Sequence, residues 1–258
     1  MTSKPTWRSA GAALLLNAGP IIAVVAFWEL SIRLGLIKAF FLPAASDVAF
    51  QFWKSFTAGD LVENFVVTLR RMAVGYAFGS GAAVLFGLII GMSRSLMAFF
   101  NPLVAAIYPL PKIALLSLFL VIFGVGDPPI IASVAVSTFF PVLLNTLAGL
   151  KSIDPVLIKA ARDLGANRLQ VATKVVLPGS LPMILTGLRQ GAAVALIVVV
   201  GVEMYIGQSG VGHQLAWATQ FFDIALLYTY IVAIGLFGIV LFKCIDLIEA
   251  LLVPWASN

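Results

Sequence analysis

Long runs with little or no charge alternate with short polar stretches along this chain. The apolar runs cover 9–28, 72–93, 96–123, 128–150, 183–202 and 224–242. About 20 apolar residues in a helix cross the roughly 30 Å of hydrocarbon in a bilayer. Inside lipid the backbone has no water to bond, so runs of this length are expected to be helical. The pattern therefore predicts an all-α polytopic membrane protein with six transmembrane helices. The first run, 20 residues after a basic start with Lys4 and Arg8, is longer than the apolar part of a signal peptide and is read as a retained span, kinked at Gly19-Pro20.

Small and polar residues within the runs are unevenly placed. Gly75, Gly79, Ala83, Gly87 and Gly91 recur every four residues in the second span, as do Gly187, Gly191 and Ala195 in the fifth. Such a ridge lets a neighbouring backbone approach closely, so both spans are expected to pack tightly against protein. The third run is too long for one straight helix and is broken by Pro102, Pro109 and Pro111. A break at membrane depth survives only against protein or a water-filled path. Lys112 beside it is either a cation facing the bundle interior or one that snorkels or bonds a carbonyl freed by the prolines. The fourth span carries Ser133, Ser137, Thr138 and Asn145, which can bond across helices or line a route for a polar solute, and a kink at Pro141. Glu203 ends the fifth, and Gly207, Gly210 and Gly212 form a mobile loop read as a re-entrant or pore-capping segment. Residues 33–71 are read as non-spanning, with a turn and cap at 43–47 and an interfacial helix at 48–56 carrying Phe50, Phe52, Trp53 and Phe56.

Residues 151–182 are the main polar interruption, with Lys151, Lys159, Arg162, Arg168 and Lys174, and Arg189 just beyond, against Asp154 and Asp163. Asp154 followed by Pro155 predicts a helix start. Leu157, Ala160, Ala161 and Leu164 give a narrow, shallow stripe suited to close docking on another surface. Gly165 predicts a left-handed stop, and Asn167 caps a second short helix ending near Val176, before Pro178.

Composition agrees with a membrane chain: 61% hydrophobic, only 10% charged, and a mean hydropathy of +1.07, where soluble domains carry about 25% charged residues. The net charge of +5 comes from residues flanking the spans, which is a topogenic pattern and not a nucleic-acid footprint. Ten of the 16 Lys/Arg fall on the side of the termini and the polar loop, five on the other, which places both termini and the loop in the cytoplasm. The single cysteine, Cys244, forms no intrachain disulfide, and no metal site is expected. A phosphate-binding G-x-x-x-x-G-K-[ST] loop needs a Gly-Lys pair, and no lysine here follows a glycine.

The run Lys159-Ala160-Ala161-Arg162-Asp163-Leu164-Gly165-Ala166, closed by Val176-Leu177-Pro178, resembles the cytoplasmic EAA loop of bacterial ABC importer permeases. Tyr108-Pro109-Leu110-Pro111-Lys112-Ile113-Ala114-Leu115, Phe123-Gly124-Val125-Gly126-Asp127, and Glu203-Met204 leading to Ser209-Gly210-Val211-Gly212 resemble the nitrate/sulfonate/taurine/bicarbonate branch. Two positions depart from the pattern: Lys159 stands where the loop's first Glu is expected, with Asp163 one turn on as its substitute, and Ser117 where proline is common.

The resemblance implies a type I importer permease fold in one domain over 1–258, with an N-terminal span and linker at 1–40, a permease core at 60–250 and the coupling loop at 151–182. It implies a non-enzymatic homodimer in the bacterial inner membrane. Two ATPase subunits would carry ATP-Mg, leaving no cofactor on this chain, and an external binding protein would deliver a small anionic or zwitterionic solute. Coupling is expected at Lys159, Ala160, Ala161, Asp163, Gly165 and Ala166; the path at Pro109, Pro111, Lys112, Ser137 and Glu203; helix packing at Gly75, Gly79, Gly87 and Gly91. Two alternatives compete. An ion-coupled secondary transporter would bury acids at the midplane, whereas the acids here lie at span ends. An intramembrane serine protease would use Ser209, but the only histidine, His213, sits in the same loop and is read as a residue of the exterior mouth.

Overall fold

A computed structural model describes residues 7–38, 40–91 and 93–253. Its helices are α1 (Trp7–Arg33), α2 (Ala45–Ala58), α3 (Asp60–Gly91), α4 (Arg94–Ile107), α5 (Leu116–Phe123), α6 (Asp127–Lys151), α7 (Pro155–Asp163), α8 (Arg168–Val171), α9 (Leu177–Ile206), α10 (Val211–Gln220) and α11 (Ile224–Leu252). Among the described residues, four helices are long and apolar enough to cross a membrane: α3, α6, the continuous Arg168–Ile206 helix and α11. A bent pair, Ser95–Ile107 with Lys112–Phe123, makes a fifth. The 27-residue α1 stands where the first span was expected; Lys4, counted for orientation, lies outside the described residues.

Helix α6 is the post on which the bundle is assembled. The glycine ridge of α3 runs parallel to it: a Cβ at Gly75 would lie 2.7 Å from Val134 Cβ, and one at Gly79 would lie 2.2 Å from the Ala135 carbonyl oxygen. Further along the same ridge, Gly87 meets Thr146 and Gly91 meets Leu150. The ridge of α9 runs antiparallel to α6, with Gly187 against Asn145 and Gly191 against Val142. Each ridge removes side chains where two backbones must nearly touch, so dispersion contacts replace the hydrophobic drive that lipid does not supply. Parallel α3 and antiparallel α9 put Asp60, Asp127 and Ile206 at one end, and Gly91, Lys151 and Leu177 beside the polar loop.

Several boundaries differ from the sequence expectation. Helix α3 begins at Asp60, not near Met72, so Arg70 and Arg71 lie within the helix and do not flank it. Pro102 sits inside α4 without breaking it; the chain turns by 86° only across 108–111, where Pro109 and Pro111 come together. Pro178 does not end the helix from Arg168. The five residues Ala172–Val176 widen into a π turn, which absorbs the missing proline N–H, and the helix runs on into α9. Arg189, counted with the loop, is therefore on α9, where it pairs with Asp246 of α11 at 2.6 Å.

Candidate functional site

The polar loop folds as its local chemistry dictates. The Asp154 carboxylate accepts the Val156 N–H at 2.8 Å and starts α7. Gly165 takes φ +86°, and the Ala166 N–H reaches back to the Ala161 carbonyl at 3.0 Å, the reverse turn that closes a helix. Asn167 and Gln170 then exchange bonds of 2.9 and 2.8 Å in a capping box that opens α8. Lys159, Ala160, Ala161, Asp163, Gly165 and Ala166 are thus brought onto one helix and its terminal turn, where Ala161 and Ala166 are half-buried and the other four exposed. Leu164 at their centre is 89% exposed. Val156, Leu157 and Leu169 of the same segment are exposed as well, an apolar surface of the kind suited to docking.

At the far end of the bundle lies a buried ionic cluster. Arg71 is 4% exposed and Glu203 0%, and Arg71 Nη1 donates to Glu203 Oε1 at 2.8 Å. The same guanidinium donates to Asp127 Oδ1 at 2.7 Å and to the Ser209 carbonyl at 2.7 Å; Arg70 holds the other Asp127 oxygen. Glu203 Oε2 accepts from Thr68 Oγ1 at 2.8 Å and from the Gly212 N–H at 3.0 Å. Thr68 Oγ1 and Asn64 Oδ1 accept the Val211 and Gly210 N–H groups, both at 2.9 Å. The first amides of α10, which a helix leaves free, are therefore capped by side chains of α3 and α9. A Cβ on Gly210 would lie 2.5 Å from Glu203 Oε1 and one on Gly212 would lie 2.2 Å from the Val200 carbonyl oxygen, so glycine is required at both. The 207–212 loop, read as mobile, is instead clamped, and α10 starts inside it.

Above this cluster opens a polar pocket of about 650 Å³, with Lys54, Asp60, Glu63, His213 and Asp223 among its walls. Ser209 connects pocket and cluster, its hydroxyl accepting from Arg71 Nη2 at 3.2 Å. A guanidinium cannot take a proton, so Ser209 has no base in Arg71.

The residues expected along a path do not converge. Ser137 and Glu203 are buried, at different levels of the bundle. Pro109, Pro111 and Lys112 sit at the exposed bend, beside an apolar hollow of about 270 Å³ lined in part by Val136 and Phe140. Lys112 Nζ donates to the Tyr108 carbonyl and lies 4.7 and 5.1 Å from the ring centres of Tyr108 and Phe140. That is the carbonyl-bonded alternative foreseen for it. Arg71 is the residue the sequence reading missed as part of a site, having counted it as a flanking charge. The available signal was Glu203, an acid ending an apolar run, which requires a cation if buried.

Comparison with known proteins gives a consistent result. A model of the family described as binding-protein-dependent transport system inner membrane component matches residues 83–258. A putative ABC transporter permease protein of Methanocaldococcus jannaschii is 32% identical over 92% of this chain and 90% of its own length. The taurine transport system permease protein TauC of Escherichia coli is 30% identical over 93% of this chain and 89% of its own. Among solved structures, a chain of the inward-facing MetNI methionine ABC transporter superposes with a TM-score of 0.64 at 20% identity, covering 76% of this chain and 97% of that one.

Proposed function

Because this chain belongs to the family of binding-protein-dependent transport system inner membrane components, we propose that it passes a small anionic or zwitterionic solute of the sulfonate, taurine, nitrate or bicarbonate class. The chain is the multi-pass permease subunit of an ABC importer, a transport subunit and not an enzyme, and the family works with an ATPase and a solute-binding protein. The name of the taurine permease and the branch-specific motifs support the solute class.

The observation that carries the coupling role is the bare α7 turn. Leu164 protrudes between Ala161 and Ala166, whose small side chains let a partner surface come close, while Gly165 sets the turn. In this reading the ATPase binds ATP-Mg, closes, and drags α7 with it. The continuous α8–α9 helix transmits the movement to α6 through the Gly187 and Gly191 contacts. Two copies of the chain enclose the path, termini and loop face the cytoplasm, and the binding protein docks over the polar pocket at the opposite end. The test is side-specific labelling of Leu164→Cys in a Cys244→Ser background. A membrane-impermeant maleimide should react in inside-out vesicles and be blocked when the ATPase is bound. Reaction from the outer face, or no protection by the ATPase, would overturn the assignment.

A further inference from the structure

The bundle carries one exposed amide pair between α6 and α9 that the coupling role leaves unused. Asn145 Nδ2 donates to the Pro141 carbonyl at 2.8 Å and to Gln190 Oε1 at 2.9 Å. A carbonyl only accepts, so the bond to Pro141 fixes which end of the Asn145 amide is nitrogen, and both of its protons are spent. What remains is the Asn145 carbonyl oxygen, one acceptor, and the Gln190 NH₂, two donors. Asn145 is half-buried and Gln190 exposed. The pairing depends on Gly187, where a Cβ would sit 2.6 Å from Asn145 Cβ and push the helices apart.

Both residues fall within apolar runs, Asn145 in 128–150 and Gln190 in 183–202. Asn145 precedes Lys151, the last residue of α6, by six positions, about 9 Å along the helix. The hydroxyls of α6 at Ser133, Thr138 and Thr146 are buried and spend their protons on their own helix, at 2.7, 3.0 and 2.8 Å. Arg189, next to Gln190, is engaged by Asp246 on α11. Free amide donors and an acceptor are costly against acyl chains, so this face suits water or a polar solute better than lipid.

Resting on the permease reading, we propose that Asn145 and Gln190 line the solute path and form a transient site for a solute with both an anionic and a cationic end. The Gln190 NH₂ would meet the anionic group and the Asn145 carbonyl the cationic one. Neutral amides suit passage: they replace part of a solute's hydration without the hold of a full counter-charge. With two copies around one path, two such pairs face it.

Cys244 is the chain's single cysteine, so its replacement by Ser gives a clean background for thiol labelling. In the importer reconstituted with its ATPase and binding protein, Gln190→Cys should react with a membrane-impermeant, negatively charged methanethiosulfonate. The expected rate is at least tenfold above that of Ile239→Cys, an exposed apolar position on α11. Gln190→Leu should slow uptake of taurine, used as the zwitterionic probe, by about tenfold while binding-protein-stimulated ATP hydrolysis persists, and Gln190→Asn should restore part of it. Equal labelling at 190 and 239, direct disulfide cross-linking between two Gln190→Cys copies across a dry contact, or unaltered taurine uptake by Gln190→Leu would overturn the proposal. Uptake by the Cys244→Ser parent is read separately: its failure alone counts against the permease reading with this solute, whereas labelling reports the path without it.

Discussion

Arg71 Nη1 and Glu203 Oε1, 132 positions apart in sequence, stand 2.8 Å from each other inside the bundle and join α3 to α9. Asp127 at the start of α6 shares the same guanidinium, so three helices and the Ser209 loop meet on one side chain. Taking Arg71 away leaves Glu203 buried without its cation, which costs far more than the intact pair contributes. Arg71→Ala is expected to lose roughly 3 to 5 kcal/mol and to lower the melting temperature in detergent. The pair Arg71→Met with Glu203→Leu should recover part of that loss, because no charge is then stranded in the α3–α9 contact. Thermal unfolding of the parent and both variants checks this; an unchanged Arg71→Ala melting temperature would contradict it.

The glycine ridge makes a second contrast. Gly79 leaves no room for a Cβ against the Ala135 carbonyl, whereas one at Gly81, two positions on, meets nothing within 4 Å. Gly79→Ala should therefore destabilise by about 1 to 3 kcal/mol through overpacking. Gly81→Ala should be neutral or gain up to about 1 kcal/mol from helix propensity. Parallel melting curves decide it, and equal effects would remove the ridge from the packing of α3 on α6.

In the loop, valine at a backbone held at φ +86° is strained, and a large side chain at Ala161 holds any docked surface away. Gly165→Val and Ala161→Trp should each abolish uptake and co-purification of the ATPase while membrane levels stay normal. Full uptake by either variant would count against docking on α7.

Lys112, bonded to the Tyr108 carbonyl and set over two rings, is occupied at the bend. Lys112→Gln should leave the uptake KM within about twofold of the parent, with a stability loss of about 1 kcal/mol from the lost cation–ring contacts. A KM raised tenfold would return Lys112 to the path.

Local chemistry was legible in the sequence because it acts within a few residues. Asp154, Gly165 and Asn167 cap and stop their helices as their types require, and Pro109 with Pro111 marks the bend. The four-residue glycine spacing announced close packing but not the partner, since a ridge looks the same whichever helix fills it. The Arg71–Glu203 pair was hidden by distance along the chain and by the resemblance of Arg70-Arg71 to a flanking charge pair. Pro178 misled for a different reason: a π turn of five residues absorbs it. The Asn145–Gln190 pair needed the α6–α9 register, which sequence spacing does not give.

The most direct measurement is uptake into vesicles holding this chain, with the binding protein outside and ATP inside, compared with and without the ATPase subunits. Taurine, an alkanesulfonate, nitrate and bicarbonate would serve as the solutes. The expected result is accumulation of at least one of them only when the ATPase is present and hydrolysing, and none for this chain alone. Concentrative uptake by the chain without an ATPase would contradict a gate moved by a separate motor.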